Sequence, residues 1–486
     1  MTEVRVRAGR WADSAKMMAA ARAAEGVDGV ERAFCFMGTP ANREEAAALG
    51  LADAAIDGAG PDDLVVAVQG AGAVKGLEAA EAVLDRAPAG ADGAGPGPRA
   101  PRSMARAEGD IAIVSVPGEY AALEAHKALG AGMDVLLFSD GVPLQEEVEL
   151  KRRAHHLGLL VMGSGAGTAI LDGLALGFAN VVARGRIGVV AAAGTGAQEV
   201  TVLIDRAGGG VSRCYGTGGR DLKEAVGAIT ALDAIARLAA DEDTDVILCV
   251  SKPPSPDVAE RVLRALADCG TPAAACMVGG GVAPVEGVAL AATLDEAALA
   301  AVRLGGRPAE AAREPRVDWV AGGAVRGLFS GGTLCSEASA ILAERLPGVS
   351  SNAPAGRARP LRGEPEGHVC LDLGEEEFTR GRPHPMIDPE ARVGRLRAEA
   401  ADPRAGVLLL DVVLGYSSHP DPAGALAPAI REALAERPQL AVVAYVLGTE
   451  DDPQVRSRQE ATLAEAGARL APTNAAAARL AAALAG

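Results

Sequence analysis

From one end of the chain to the other, short apolar runs of Val, Ile, Leu and Ala alternate with longer amphipathic runs. Strands repeat every two residues and helices near every 3.6, so a chain that keeps switching between the two periods is built from βαβ units. Strands that read as unbroken apolar runs are buried on both faces, as in a parallel sheet covered by helices. The expected fold class is α/β, with several mainly parallel-sheet domains. Only 2% of residues are aromatic against 49% hydrophobic, so the cores must be aliphatic. The 61 glycines permit tight strand-to-helix turns.

Charge and composition exclude several classes of function. A net charge of −17 with no block of Lys or Arg argues against a nucleic-acid partner. No run of about 18 apolar residues is free of charge, so no membrane span is expected. The opening residues carry early acids and polar breaks unlike a signal peptide, which points to the cytoplasm. Seven cysteines are scattered singly without a CxxC pair, which reads as reduced core thiols and not as a metal site.

The alternation divides the chain into blocks. Residues 1–86 form an N-terminal α/β domain, with strands near 4–6, 33–37 and 64–68. Residues 87–107 are a Pro/Gly/Ala-rich linker. Residues 108–184 read as half of a nucleotide-binding-type domain, and 185–306 as a further α/β domain. A second linker, 307–315, leads to a C-terminal α/β domain over 316–486.

Two turns carry the clearest chemistry. AAAGTGAQE (191–199) and FSGGTLCSE (329–337) each end a strand in glycines and open a helix. The first N–H groups of a helix lack intrahelical partners and its dipole is positive there. Gly194, Thr195 and Gly196 in one turn, and Gly331, Gly332 and Thr333 in the other, would let an oxyanion approach the backbone. Either turn could also be only a tight connection of small residues. Two such turns could aim two dipoles at one phosphate. Neither has the lysine of a P-loop, so no Walker-type nucleotide site is expected.

In GRPHPMIDP (381–389), Arg382, His384 and Asp388 lie close together among prolines, too polar for core. A histidine beside a carboxylate can act as general acid or base, or can hold a rigid loop. Arg220 and Asp221 follow glycines at a strand end, Asp221 as a candidate helix cap. Asp411 ends a buried strand that could face the same crevice.

The run from Asp110 to Val302 resembles the α subunit of succinyl-CoA synthetase. The motifs are a strand ending in Val116–Pro117, then FSDGVP, VMGSGAGT, GVVAAAGTGAQE and YGTGGRDL in order. Block 316–486 resembles the carboxy-terminal domain of that enzyme's β subunit. Together with MGTPAN (37–42), VSKPP (250–254) and GRPHPMIDP, the whole chain resembles the FdrA family. The resemblance implies Rossmann-like and flavodoxin-like domains as in succinyl-CoA synthetase. It also implies two helix starts that grip a phosphoryl group, Glu199 as a glutamate beside them, and Pro117 and Asp140 in turns that approach coenzyme A.

The departures are equally specific. The synthetases carry a phosphorylated histidine between the strand near Met277 and the helix near Leu294, but this chain has no histidine between His156 and His368. The ATP-grasp half is not recognised either, so a self-sufficient ATP-dependent ligase is not expected. The resemblance implies a subunit of a carbamoyltransferase instead, in which carbamoyl phosphate and oxamate interconvert with oxalurate and phosphate. The ligand would be carbamoyl phosphate or phosphate, with coenzyme A allowed. Arg220 and Arg382 would offset charge on the phosphate. Other protein subunits and an oligomeric state are implied as well. The alternatives are a nucleoside-diphosphate-forming acyl-CoA synthetase component and a non-catalytic subunit that binds coenzyme A or a nucleotide.

Overall fold

A computed structural model describes residues 2–12, 14–48, 50–51, 53–85, 103–317, 319–363, 366–379 and 383–486. Most of the expected 87–107 linker, and Arg382, lie outside the described residues. The chain forms two compact units, Met1–Ala100 and Pro101–Gly486.

The first unit holds one three-stranded sheet, ordered Thr2–Arg7, Leu64–Gly70, Val30–Met37. Both outer strands run antiparallel to the central one. The chain was expected to be mainly parallel, and this sheet is the part of it that is antiparallel throughout. The alternation of strand and helix is real, but the third strand inserts between the first two as in a split βαβ unit. Apolar periodicity reports burial, not strand direction. Along the central strand, Leu64, Val66 and Val68 face the helices Ser14–Glu25 and Ala73–Asp85. Val65 and Ala67 face Ala46, Leu51 and Ile56 on the other side. Burial on both faces explains its unbroken apolar run.

The second unit holds three sheets. Ile111–Val114, Asp134–Leu137 and Val161–Met162 form a small parallel sheet flanked by helices Gly118–Gly130 and Leu144–Leu157. A seven-stranded sheet runs Val288–Ala291, Ala273–Met277, Val246–Ser251, Arg184–Ala192, Val211–Gly216, Thr168–Leu171, Leu174–Gly177. Its first five strands are parallel, and the last two form an antiparallel hairpin on its edge. Another seven-stranded sheet, all parallel, runs Arg359–Pro360, Ser350–Ser351, Val369–Asp372, Ala324–Phe329, Ala405–Val413, Ala441–Leu447, Arg469–Ala471.

Helices Gly194–Arg206, Leu294–Leu304, Gly332–Arg345 and Asn474–Ala485 lie in one continuous core with residues of both large sheets. The first of them buries every residue from Gly196 to Ile204, as a helix packed on all sides must. Small residues make this close packing feasible: a methyl on Gly196 would lie 2.9 Å from Thr333 Cγ2.

In each large sheet the order reverses at one strand. From Arg184–Ala192 the chain moves first to Val211–Gly216 on one side and later to Val246–Ser251 on the other. From Ala324–Phe329 it moves first toward Val369–Asp372 and later to Ala405–Val413. Such reversals open a crevice beyond the carboxyl ends of the strands, where ligands bind in open α/β sheets. The two glycine turns follow these two strands directly.

Candidate functional site

The two helix starts meet. The backbone N–H of Thr333 donates to Thr195 Oγ1 at 3.2 Å, and a methyl on Gly331 would lie 2.9 Å from Thr195 Cγ2. Gly194 faces open space. Thr333 is 1% exposed, yet its Oγ1 has no hydrogen-bond partner. A buried hydroxyl without a partner forfeits hydrogen-bond energy that a ligand could restore.

Strand ends from both sheets supply the polar groups around this junction. Asp411 accepts from the Ser330 N–H at 2.9 Å, the Gly331 N–H at 2.8 Å and the Ser330 hydroxyl at 3.1 Å. Arg392 donates to the same carboxylate at 2.7 Å. Asp411 thus holds the entry to the second helix, whereas the sequence left its role open. Asp372 closes the strand Val369–Asp372, and Lys252 follows the strand Val246–Ser251. Both lie beside Gly332, where a methyl would lie 2.7 Å from Lys252 Nζ and overlap the Asp372 carboxylate. Burial pushes the Asp372 carboxyl up to about 7; the Lys252 charge opposes this while Glu375 and Asp411 add to it.

His384 reaches the same place from the proline-rich loop. A methyl on Gly374 would lie 2.5 Å from His384 Nε2 and 3.1 Å from Asp372 Oδ1. The Met386 N–H donates to His384 Nδ1 at 3.2 Å, which places the ring proton on Nε2. Burial lowers the histidine to about 4, against the attraction of Asp140, so the ring is neutral at neutral pH. Phe178 lies against the ring, with centroids 6.0 Å apart.

Pro117 caps the helix Gly118–Gly130, and Gly118 packs directly on Asp140 and Gly141. Asp140 accepts from the Gly141 N–H at 2.8 Å.

Glu199 and Glu337 lie one turn into the two helices, both buried. Tyr445 donates to Glu199 at 2.7 Å, and Asn474 donates to Glu337 at 2.7 Å. Burial, then the Glu337 charge, pushes Glu199 up to about 8. Burial, then Asp295, pushes Glu337 up to about 7.

The remaining expected residues sit differently. Arg220 donates to Ser164 Oγ and the Val142 carbonyl, both at 2.7 Å, and pairs with Glu147 at 2.6 Å. It braces the turns around Asp140, and its charge is met by Glu147. Asp388 accepts from the Glu390 N–H at 3.0 Å, at the start of the helix Glu390–Ala401, and makes no bond to the His384 ring. Asp221 accepts from the Ala231 N–H at 2.9 Å and binds Lys151 at 2.7 Å. Lys252 and Asp372 were not singled out from sequence. Each stands at the end of an apolar strand in VSKPP and VCLDL, but only the strand order shows that those ends converge.

Residues 328–484, which include the second helix start, match the CoA-ligase family. Residues 1–98 match the family described as AllF, heavy metal-associated domain. Across 95% of its length the chain is 39% identical to the uncharacterized protein YahF of Escherichia coli (strain K12), covering 94% of that protein. The chain belongs to the same family as YahF. It is also 25% identical over 154 residues, 31% of its length, to the α subunit 1 of ADP-forming succinate–CoA ligase of Archaeoglobus fulgidus, and spans 52% of that protein. Dinucleotide-forming acetyl-coenzyme A synthetase 1 of Ca. Korarchaeum cryptofilum aligns over 79% of this chain and 84% of that one, at 16% identity and a TM-score of 0.34.

A heavy metal, as in the name of the N-terminal family, calls for soft ligands. Residues 1–98 contain one cysteine, Cys35, and no histidine. Burial pushes the Cys35 thiol up to about 12, far from the thiolate form a metal needs. No group of three His, Cys, Asp or Glu among the described residues could hold a metal ion. The segment thus offers such an ion no imidazole and a single thiol. All seven cysteines of the chain are free, and among the described residues no helix is long and apolar enough to cross a membrane.

Proposed function

We propose that this chain is the phosphate-holding subunit of a carbamoyltransferase that works on carbamoyl phosphate with oxamate as acceptor. The observation that carries the reading is the junction of the two helix starts at Thr195 and Thr333, in a chain without a histidine between His156 and His368. On this reading the two helix starts form a clamp for phosphate, and the chain has no histidine where the resembling synthetases carry their phosphohistidine.

Carbamoyl transfer needs no such relay. The oxamate amide nitrogen attacks the carbamoyl carbon, the bond from that carbon to the phosphate oxygen breaks, and phosphate leaves with the electron pair. First-turn N–H groups of helices Gly194–Arg206 and Gly332–Arg345, apart from that of Thr333, which Thr195 accepts, take up the charge on the departing phosphate. His384 offers its Nε2–H as a donor. Asp372, held near 7, is the group best matched to accept the amide proton at neutral pH. Pro117 and Asp140 line the neighbouring turns, where coenzyme A or the acceptor would lie.

The second reading is a component of a nucleoside-diphosphate-forming acyl-CoA ligase, favoured by the CoA-ligase match over 328–484. One assay separates the two. The chain is mixed with the products of its neighbouring genes and given either carbamoyl phosphate with oxamate, or ATP with coenzyme A and a carboxylic acid. Oxalurate and phosphate in the first mixture, with no thioester in the second, is the expected result. Thioester formed at the expense of ATP, without oxalurate, overturns the proposal.

A further inference from the structure

Lys252 is a cation at the helix junction, set between the buried Asp372 carboxyl and the partly exposed Glu375. Its backbone N–H reaches the carbonyl of Ala192, the residue before the cap of the first helix, at 3.4 Å. Its Nζ stands against Gly332 at the start of the second. Its ion-pair partner is Glu375, at 3.6 Å with 46% of that side chain exposed. A pair so long and so open to solvent contributes little. Lys223, bonded to the Pro253 carbonyl in the next turn, is lowered by burial and by the like charge of Lys252. Two lysines that raise each other's energy, two converging dipoles and the buried, unpartnered Thr333 hydroxyl all favour one kind of occupant: a compact anion with several acceptor oxygens.

We infer that Lys252 is a phosphate-binding residue of this site, releasing Glu375 to pair with a phosphate dianion that also accepts from the Thr333 hydroxyl. This rests on the phosphate-clamp reading above and adds the cation that Arg220, held by Glu147, does not supply. The ligand class is inorganic phosphate or the phosphoryl end of an acyl phosphate. No bond is made or broken at Lys252.

The test is calorimetric titration of the full-length chain with inorganic phosphate, backed by thermal melting to confirm folding. Lys252→Met, which keeps most of the aliphatic stem, is expected to weaken phosphate binding roughly ten- to hundredfold. Lys252→Arg should restore most of it. Glu375→Gln should tighten binding by about two- to fivefold, because it removes the exposed one of the two acids beside the lysine without touching the lysine or Asp372. Opposite signs for Lys252→Met and Glu375→Gln distinguish a ligand-binding lysine from a structural ion pair, whose two halves would fail together. Wild-type binding that Lys252→Met leaves unchanged, or that Glu375→Gln weakens as much as Lys252→Met does, overturns the role of Lys252 while the clamp stands. No phosphate binding by the wild-type chain overturns the clamp and the inference with it.

Discussion

The amide of Thr333 donates to the hydroxyl of Thr195 across 3.2 Å, joining helix starts 138 residues apart. Each helix leaves a strand at which its sheet reverses order, so the reversal points of the two sheets meet at this bond.

The glycines at this junction should separate stability from binding. Gly332 has no room for a side chain, because a methyl would overlap Asp372 and lie 2.7 Å from Lys252 Nζ. Gly332→Ala should cost about 1–3 kcal/mol and abolish phosphate binding. Gly194 faces open space, so Gly194→Ala should leave the melting temperature unchanged while weakening phosphate binding. Thermal melts and phosphate titrations of both variants check this. Equal destabilisation by the two substitutions would contradict it.

Glu199 and Glu337 should make the fold lose stability as the pH rises. Both carboxyls are raised from an ordinary 4.5, to about 8 and about 7, so the folded state holds protons that the unfolded state has released. Their contribution is complete below 4.5 and is lost as the pH climbs through 7 and 8. Denaturant titrations across this window should show the decline, and Glu199→Gln should flatten it. A slope identical in wild type and variant would refute the assignment.

His384 should act as a neutral donor throughout the working range. Its value falls from 6.5 to about 4, so its contribution to stability is present above 6.5 and lost as the pH drops through 4. The rate profile of the assembled enzyme should show no inflection at 6.5 and one near 7 from Asp372. Asp372→Asn should remove that inflection, and His384→Ala should lower turnover roughly a hundredfold. A 6.5 inflection that disappears in His384→Ala would reverse these roles.

Arg392 should be structural in origin and functional in effect. It donates to the Leu328 carbonyl and to Asp411, each at 2.7 Å, with its guanidinium buried. Arg392→Met would leave the Asp411 carboxylate without its counter-charge beneath the second helix start, at a cost of about 3–5 kcal/mol. Denaturant midpoints measure this, and a loss below about 1 kcal/mol would show that the three donors from Ser330 and Gly331 suffice.

The α/β class was legible in the sequence, because helix and strand periods are local and aliphatic strands buried on both faces read as unbroken runs. LVVAV at 64–68 and VILCV at 246–250 were recognisable as strands in this way. The glycine turns at Gly194 and Gly331 were recognisable too, since a strand running through small residues into a helical pattern is a contiguous signal. Strand direction was not, which is why the antiparallel sheet of the first unit went unseen. Nor could a local pattern show that Lys252, Asp372 and His384 converge, that Glu147 neutralises Arg220, or that Asp388 only caps a helix. Those contacts depend on which strands neighbour one another and where each sheet reverses, and that is decided by packing between segments tens to hundreds of residues apart. The sequence by itself determined two glycine-rich helix starts; the tertiary structure brought them together and placed a lysine, an aspartate and a histidine around them.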